Sequence, residues 1–362
     1  MRTVEVPLGD RTYPIYIGPG VLPSLGRLLA EMCPAPTAAV ISDDRVAPHY
    51  ADVARTSMIE AGFHTEVLVV EAGEQSKSLA TAADLYGKLA EAGIERSSPL
   101  VSLGGGMVGD LTGFVAATWL RGVPFVQAPT TLVADVDAAV GGKTAVNHPA
   151  GKNLIGAFHQ PRMVLIDTQT LDTLEARDFR AGLAESVKHG VIRDAEFFAW
   201  HEQHAGDLLE REGDLLGALI ERNCRIKAEV VSSDEREAGL RAILNFGHTI
   251  GHAIESDQQY ALRHGECVAI GMVAAAEIAV VRSMISPDQA VRIGRLLEVL
   301  GLPTRLPRPV DLDVLTAFMQ KDKKVKAGRI RFVLPTAIGQ VVTVSDVTSA
   351  QIAAGARAIQ PA

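Results

Sequence analysis

The sequence predicts an α/β N-terminal domain with a Rossmann-like, mostly parallel sheet, plus a mainly α-helical C-terminal domain. Short apolar runs alternate with helical patterns up to about Asp167, which is typical of parallel βαβ units. From Asp178 to about Leu300 nearly every segment has helical spacing. A chain of 362 residues with 47% hydrophobic residues can bury two cores of this kind. We therefore expect two domains, residues 1–177 and 178–362.

The predicted strands follow one another along the first half of the chain. The segment VEVPLGDRTYPIYIG is typical of a β-hairpin, with LGDR as its turn. Further strands are expected at 37–42, 64–70, 99–103, 124–128 and 162–167, with helical stretches between most of them. Near the end of the chain, RIRFVLPTAIGQVVTV predicts a second hairpin.

Composition narrows the class of protein. A net charge of −8 and 5% aromatic residues argue against a nucleic-acid binder, which needs a basic surface with stacking platforms. No apolar run reaches the length of a membrane span, and Cys267–Val281, interrupted by Glu277, predicts a buried helix. The start MRTVEVPLGD lacks an apolar signal core, so we expect a cytoplasmic protein without a membrane partner. We expect three free thiols in a reducing compartment, with the last as a packed core residue: Cys33, Cys224 and Cys267.

A glycine-rich turn follows the strand predicted at 99–103. In VSLGGGMVGD, Gly104, Gly106 and Gly109 have the G-x-G-x-x-G spacing that lets a backbone approach a phosphate at a helix N-terminus. Any tight strand-to-helix turn needs glycine, and this is not the first βα turn, so the signal is weak alone. The segment EAGEQSK adds Glu74 and Lys77 after another strand, and two such loops favour a ligand crevice at the sheet edge.

The segment PTTLVADVDAAVGGKTAVNHPAGKNLIG carries single polar residues among glycines and has little periodic apolar content. Lysine beside flexible backbone suits a small anion such as a phosphate or carboxylate. The alternative is a solvated surface loop. The polar residues in question are Asp137, Lys143, Asn147, Lys152 and Asn153.

Histidines and one acidic residue in the second half predict a metal site. His248 and His252, in NFGHTIGHAIE, share one helix face, HGEC adds His264, and GLAESVKHG adds Glu185. Zinc takes such ligands, and a catalytic site uses three of them, so four candidates compete for three places. The cationic residues of this half either form a local anion-binding pocket or lie on solvated helix faces. They are Arg222, Arg225, Lys227, Arg241 and the KDKK segment at 321–324.

Several segments resemble the 3-dehydroquinate synthase family of sugar-phosphate cyclases, from about residue 40 to about residue 340. They are GGGMVGDLTGF, PTTLVADVDAAVGGKTAVNHPAGKNLIGAFHQP, AGLAESVKHG, NFGHTIGHAIE, HGECVAIGM and DKKVKAGRIRFVLP. The resemblance implies a homodimeric, cytoplasmic, NAD- and metal-dependent carbon–oxygen lyase of the shikimate pathway. Its reaction converts 3-deoxy-D-arabino-heptulosonate 7-phosphate to 3-dehydroquinate and phosphate. The implied steps are transient oxidation by NAD, phosphate elimination, reduction and intramolecular aldol closure.

The same resemblance implies a role for each matched residue. Residues 1–177 would bind NAD, and 178–362 would bind one divalent metal, Zn²⁺ or Co²⁺, and the substrate, with the active site in the cleft between them. The implied metal ligands are Glu185, His248 and His264, and His252 would transfer protons. The implied NAD contacts are Asp44, Glu74, Lys77, Gly106, Met107, Val108, Gly109, Asp110, Thr130, Thr131, Lys143, Lys152, Thr170, Leu171, Asp172 and Thr173. The implied substrate contacts are Asp137, Lys143, Lys152, Asn153, Lys188, Lys227, Arg241, Asn245, His252 and Lys324, with Arg121 supplied by the neighbouring subunit.

The chain departs from the family's pattern at a few positions. Asp135 stands where a neutral residue is expected, and Ala138 and Ala139 stand where serines are common. The added carboxylate either retunes a nearby lysine or faces solvent. Alternative functions are a related cyclase acting on another sugar phosphate, a metal-dependent polyol dehydrogenase and a non-catalytic nucleotide-binding protein.

Overall fold

The structure is a computed structural model that describes residues 1–237, 239–258, 261–321 and 330–361. The chain forms two compact units. Unit 1 consists of Met1–Leu174 and Leu216–Arg236, and unit 2 of Glu175–Leu215 and Glu237–Ala362. The functional division at residue 177 stays a prediction. The compact units differ from it in two places, since residues 175–177 belong to unit 2 and Leu216–Arg236 belongs to unit 1.

The sheet of unit 1 contains the strands that alternation predicts. Its strands are β1 (Arg2–Val6), β2 (Tyr13–Gly18), β3 (Thr37–Asp43), β4 (His64–Val70), β5 (Leu100–Gly104), β6 (Phe125–Pro129) and β9 (Val164–Asp167). Their order is β1-β2-β9-β6-β5-β3-β4. The pair β1–β2 is antiparallel, and every other neighbouring pair in this sheet is parallel. The predicted N-terminal hairpin and mostly parallel sheet are therefore confirmed.

Helices cover both faces of this sheet. They are α1 (Leu25–Met32), α2 (Ala47–Glu60), α3 (Leu79–Glu91) and α4 (Gly106–Thr118). Successive side chains of a strand point to opposite faces. In β3, Ala38 and Val40 accordingly join the core around α1 and α2, whereas Ala39 and Ile41 join the core around α3 and α4. Burial on both faces explains why these strands are continuously apolar.

The polar central segment is not a solvated loop. It forms a π-helical turn (Ala134–Ala138) and an antiparallel hairpin of β7 (Lys143–His148) and β8 (Gly151–Phe158). Small residues make this packing possible: a Cβ on Gly113 of α4 would lie 2.3 Å from Thr144 Cγ2, and one on Gly156 would lie 2.2 Å from the Thr144 carbonyl oxygen. Glycine in β8 thus weakens the alternating pattern that predicts a strand, and it also lets the hairpin pack closely.

Helix α7 (Gly213–Ser233) contributes its residues from Leu216 onward to unit 1. Glu221 accepts a 2.6 Å hydrogen bond from Arg2, and Glu235, just beyond the helix, accepts bonds of 2.6 and 2.8 Å from Arg11. The amphipathic spacing of this segment predicts a helix but does not identify the partner of its apolar face.

Unit 2 is mainly helical, as predicted, with one late hairpin. Its helices are α5 (Ala176–Arg193), α6 (Ala195–Leu209), α8 (His248–Asp257), α9 (His264–Val281), α10 (Pro287–Val299), α11 (Leu312–Lys321) and α12 (Ser349–Ala358). The predicted hairpin is β10 (Phe332–Ala337) with β11 (Gln340–Val344). Within the described residues α9 alone is long and apolar enough to cross a membrane, yet 72% of it is buried in the fold, which confirms the predicted core helix.

Candidate active site

The residues that resemblance assigns to NAD follow one edge of the unit 1 sheet. Parallel strands end together, and the loops after their carboxyl ends are the usual ligand positions in such sheets. These loops come after β3, β4, β5, β6 and β9, which are neighbours in the sheet. In that order they carry Asp44, then Glu74 and Lys77, then Gly106–Asp110, then Thr130 and Thr131, then Thr170–Thr173.

Hydrogen bonds around Lys77 join two of these loops to the β7–β8 hairpin. The buried Lys77 ammonium lies 2.5 Å from Asp110 Oδ2 and 2.5 Å from Asn153 Oδ1. Glu74 Oε1 accepts a 2.8 Å bond from Asn147 and lies 4.0 Å from Lys152 Nζ. Burial raises the pKa of Asp110, and the adjacent Lys77 charge opposes that shift. The β4 loop, α4 and the β7–β8 hairpin therefore form one polar network.

The glycine turn brings backbone and side chains close together at the start of α4. The N-cap residue of this helix is Gly105, which has no side chain to cap it, and such a helix start suits a phosphate. A Cβ on Gly109 would lie 2.6 Å from Gln127 Oε1. Val108 and Leu171 are fully buried. Among the described residues, the buried Thr130 hydroxyl has no hydrogen-bond partner.

The predicted anion-binding residues occupy different environments. Lys227 Nζ lies 2.8 Å from Asp137 Oδ1 and also donates to the Asp137 carbonyl, so the structure brings these two together. Lys143 is exposed at the start of β7. Arg121 is exposed after α4, with a φ of 70°. Arg225 pairs with Glu221 along one helix, which is the solvated-face alternative. The predicted contact Lys324 lies outside the described residues.

Unit 2 brings the metal candidates together. The fully buried Glu185 carboxylate, on α5, has Oε1 3.6 Å from His248 Nε2 and 3.3 Å from His264 Nε2. Zinc bonds to nitrogen and oxygen are about 2.0–2.2 Å long, so neighbouring ligand atoms in a tetrahedral site lie roughly 3.4 Å apart. These three residues therefore fit a metal ion in both donor type and spacing.

His252 is close to this group but is not needed to complete it. Its ring centroid lies 5.3 Å from that of His248 and 5.8 Å from that of His264. Nitrogen atoms of the three histidines lie within 4.8 Å of one another, so a three-histidine site is the alternative ligand set. The shorter carboxylate distances favour Glu185 as the third ligand.

The glycines beside the histidines let three helices touch. A Cβ on Gly265, next to His264, would lie 1.9 Å from the Ala181 carbonyl oxygen of α5. A Cβ on Gly251 of α8 would lie 2.9 Å from the Cys267 carbonyl oxygen of α9. Gly247 combines a φ of 77° with a Cβ position 2.8 Å from the Val268 carbonyl oxygen. Only glycine allows this backbone contact, which brings the two histidine-bearing helix ends together.

Charges in this cluster are closely coupled. Lys188 Nζ lies 2.5 Å from Glu185 Oε2, and both side chains are buried. Burial favours the neutral form of His264, but hydrogen bonds and charges from Glu185 and Glu255 outweigh it and raise the pKa of His264 to about 10. Because a metal takes a neutral imidazole, metal binding here must release that proton.

Two further predicted substrate residues also lie in unit 2. Arg241 is buried and Asn245 donates a 2.8 Å bond to Glu237. Sequence reasoning assigned no role to Glu255, although it follows His248 by two helical turns and so shares its face. The expectation that Asp135 could face solvent is wrong. It is fully buried in unit 1, and its carboxylate oxygens have no hydrogen-bond partner among the described residues.

Comparisons with known proteins match most of the chain to 3-dehydroquinate synthases. The family model described as 3-dehydroquinate synthase N-terminal matches residues 67–181, and the one described as 3-dehydroquinate synthase C-terminal matches 182–325. A 3-dehydroquinate synthase from Symbiobacterium thermophilum is 49% identical over 355 residues, which cover 98% of this chain and 99% of the relative.

Two solved structures share the fold at 28% identity. One is a 2-deoxy-scyllo-inosose synthase complexed with carbaglucose-6-phosphate, NAD⁺ and Co²⁺, with a TM-score of 0.88 and coverage of 96% of this chain and 95% of that one. The other is a 2-epi-5-epi-valiolone synthase from Streptomyces hygroscopicus subsp. jinggangensis with NAD⁺ and Zn²⁺ bound, with a TM-score of 0.89 and coverage of 96% of both chains.

Proposed function

This chain belongs to the 3-dehydroquinate synthase family and has the family's activity, and on that premise we propose which residues hold the metal, the NAD and the substrate. The reaction converts 3-deoxy-D-arabino-heptulosonate 7-phosphate to 3-dehydroquinate and phosphate. We class it as a carbon–oxygen lyase because phosphate leaves by elimination. The observation that carries the proposal is the buried Glu185 carboxylate at ligand spacing from two imidazole nitrogens.

The metal is held by Glu185, His248 and His264. The presence of Zn²⁺ or Co²⁺ in two structural relatives supports this assignment, as does the donor set of one carboxylate and two imidazoles. Bound there, the metal supplies Lewis acidity at a substrate hydroxyl. Lys188 neutralises one oxygen of Glu185 and so steadies the carboxylate. His252, one turn from His248 and beside the cluster, moves protons at the substrate.

NAD binds along the carboxyl edge of the unit 1 sheet. Bound there, it supplies a reversible oxidation of the substrate alcohol, which makes the neighbouring carbon acidic and is undone later in the cycle. The uncapped start of α4 receives its pyrophosphate. Hydrogen bonds to Asp110 and Asn153 hold the Lys77 side chain of the β4 loop in place.

The substrate's phosphate and carboxylate bind the cations that this acidic protein gathers locally. Lys227 is held against Asp137, and Lys143 and Lys152 lie at the two ends of the β7–β8 hairpin. In unit 2, the residues proposed to bind the substrate include Arg241 and Asn245. We propose that Arg121 acts across a homodimer and that the enzyme is cytoplasmic.

The alternatives fit less well. The 2-deoxy-scyllo-inosose synthase and the 2-epi-5-epi-valiolone synthase are each 28% identical to this chain, against 49% for a 3-dehydroquinate synthase of nearly equal length. A polyol dehydrogenase would share the glycine turn and the metal but has no use for this many anion-binding cations, and it would release NADH.

One experiment separates these functions. Purified protein receives 3-deoxy-D-arabino-heptulosonate 7-phosphate and NAD⁺, and released phosphate and absorbance at about 340 nm are followed together, before and after chelation. We expect phosphate release that stops on chelation and resumes when Zn²⁺ or Co²⁺ is restored, without accumulation of NADH. Accumulating NADH without phosphate would identify a dehydrogenase. Phosphate release from sedoheptulose 7-phosphate but not from this substrate would identify the other cyclase.

A further inference from the structure

The two histidines of the proposed metal site are oriented in the same way by different groups. Each directs Nε2 toward Glu185, at 3.6 Å from His248 and 3.3 Å from His264. On the other side of the ring, His248 Nδ1 lies 3.0 Å from the Phe246 carbonyl oxygen, and His264 Nδ1 lies 3.4 Å from Glu255 Oε2. A ring that gives Nε2 to a metal carries its proton on Nδ1, so each of these oxygens faces an N–H donor.

The two rings need different degrees of support. His248 is largely buried, with 11% of its side chain exposed, and its acceptor is a carbonyl two residues away on its own chain segment. His264 is the first residue of α9 and has 36% of its side chain exposed. A side chain there has no preceding helical turn to restrict it, so its ring orientation depends on a group from another element.

Glu255 is positioned to supply that restriction. It lies on α8 two turns after His248, on the same helix face, and only 12% of its side chain is exposed. Burial of a carboxylate is costly unless it meets a donor, and the His264 ring is one donor that it meets. Metal-bound imidazoles commonly donate their second N–H to such a carboxylate, which fixes the tautomer and strengthens the ligand.

We propose that Glu255 is a positioning residue of the metal site: it accepts a hydrogen bond from His264 Nδ1–H and thereby holds Nε2 toward the metal. The inference rests on the proposed ligands Glu185, His248 and His264. It assigns Glu255 no contact with metal or substrate, so its loss weakens metal binding without removing a ligand.

Affinity for Co²⁺ tests this directly. The metal-free protein is titrated with Co²⁺ in competition with a chelator, and the visible absorption of the bound ion is recorded. We expect Glu255→Ala to raise the Co²⁺ dissociation constant about 10- to 100-fold and to broaden or shift the absorption. Glu255→Gln keeps an acceptor oxygen without the charge, so its loss of affinity should be smaller than that of Glu255→Ala.

Glu266→Gln is the matched control. Glu266 also has 12% of its side chain exposed, and it pairs with Arg177 and accepts the backbone N–H of Arg263 rather than a bond from a histidine. Gln keeps an oxygen that can accept from that N–H. It should leave the dissociation constant and the spectrum unchanged even if it lowers the unfolding temperature of the metal-free protein. Unchanged affinity in both Glu255 variants, or an equal loss in Glu266→Gln, would overturn the inference. If the wild-type protein binds no Co²⁺, the metal site itself fails and the inference fails with it.

Discussion

The thiol of Cys224 donates a 3.4 Å hydrogen bond to the backbone carbonyl oxygen of Asp135, which joins α7 to the π-helical turn Ala134–Ala138. Both residues are fully buried. Burial raises the pKa of Cys224, so the thiol stays protonated. Asp137 and Lys227 lie on the same two elements, so this buried contact helps to hold two proposed substrate residues in place.

Replacing Asp135 by Asn should change how stability depends on pH. Burial raises the pKa of Asp135 well above its usual range, and the nearby charge of Asp167 adds to the shift. The folded protein therefore keeps a proton that the unfolded chain releases at about pH 4. The stability from this group is complete below that pH and is lost as pH rises. Asn has no proton to lose, so Asp135→Asn should be the more stable form at pH 7–8.

Denaturant unfolding at pH 5, 6, 7 and 8 measures this difference. The stability gap between Asp135→Asn and wild type should widen with pH, by no more than about 1.4 kcal/mol per pH unit, since one proton is involved. Asp10→Asn is the control, because the Asp10 side chain is 95% exposed. Parallel pH profiles for the wild type and Asp135→Asn would show that Asp135 is not protonated in the folded state.

Replacing Gly265 by Ala should damage both stability and metal binding. The added Cβ would lie 1.9 Å from the Ala181 carbonyl oxygen, so α9 must move away from α5. That shift displaces His264 relative to Glu185. We expect a loss of about 1–3 kcal/mol in the free energy of unfolding, together with weaker Co²⁺ binding.

Gly294→Ala is the matched control for this change. Gly294 lies within α10 with open space at its Cβ position. Alanine there should stabilise the helix by about 0.5–1 kcal/mol and leave Co²⁺ affinity unchanged. Gly265→Ala with wild-type stability and affinity would contradict the close packing of α5 and α9.

Mixing two inactive variants tests the proposed role of Arg121 in a shared site. Arg121→Ala should inactivate the active site of the neighbouring subunit, whereas Lys188→Ala should inactivate the active site of its own subunit. Random exchange makes half of the dimers hybrid, and each hybrid has one intact site, so about a quarter of wild-type activity should return. No return of activity, with exchange demonstrated by native mass spectrometry, would place Arg121 in its own subunit's site.

The sequence predicts the sheet well because its strands have strong local patterns. Alternation and apolar runs locate β3 and β4 to within a residue. The β7–β8 hairpin is not predicted in this way, because Gly156 and other small residues weaken its apolar alternation. The same small residues make its close packing possible. The packing of α7 in unit 1 involves partners that are distant in sequence, such as Arg2 and Arg11. The local spacing of residues in α7 cannot predict such partners.

The site is predictable by residue type but not by side-chain partner. Helical spacing places His248 and His252 on one face, residue type adds Glu185 and His264 as candidates, and the resemblance selects the three ligands from these four. It cannot supply the pairing of Lys77 with Asp110 and Asn153, since these residues are far apart in sequence and meet only in the fold. The burial of Asp135 was missed because a carboxylate is normally solvated.

Metal content in single-residue variants tests the central claim most directly. Metal-free wild type, Glu185→Ala, His248→Ala, His264→Ala and His252→Ala are each incubated with Zn²⁺, passed through a desalting column and analysed by inductively coupled plasma mass spectrometry. We expect wild type and His252→Ala to retain one Zn²⁺ per chain, with activity greatly reduced in His252→Ala. The three ligand variants should retain far less than one. Loss of Zn²⁺ in His252→Ala with retention in Glu185→Ala would contradict the account and establish the three-histidine site instead.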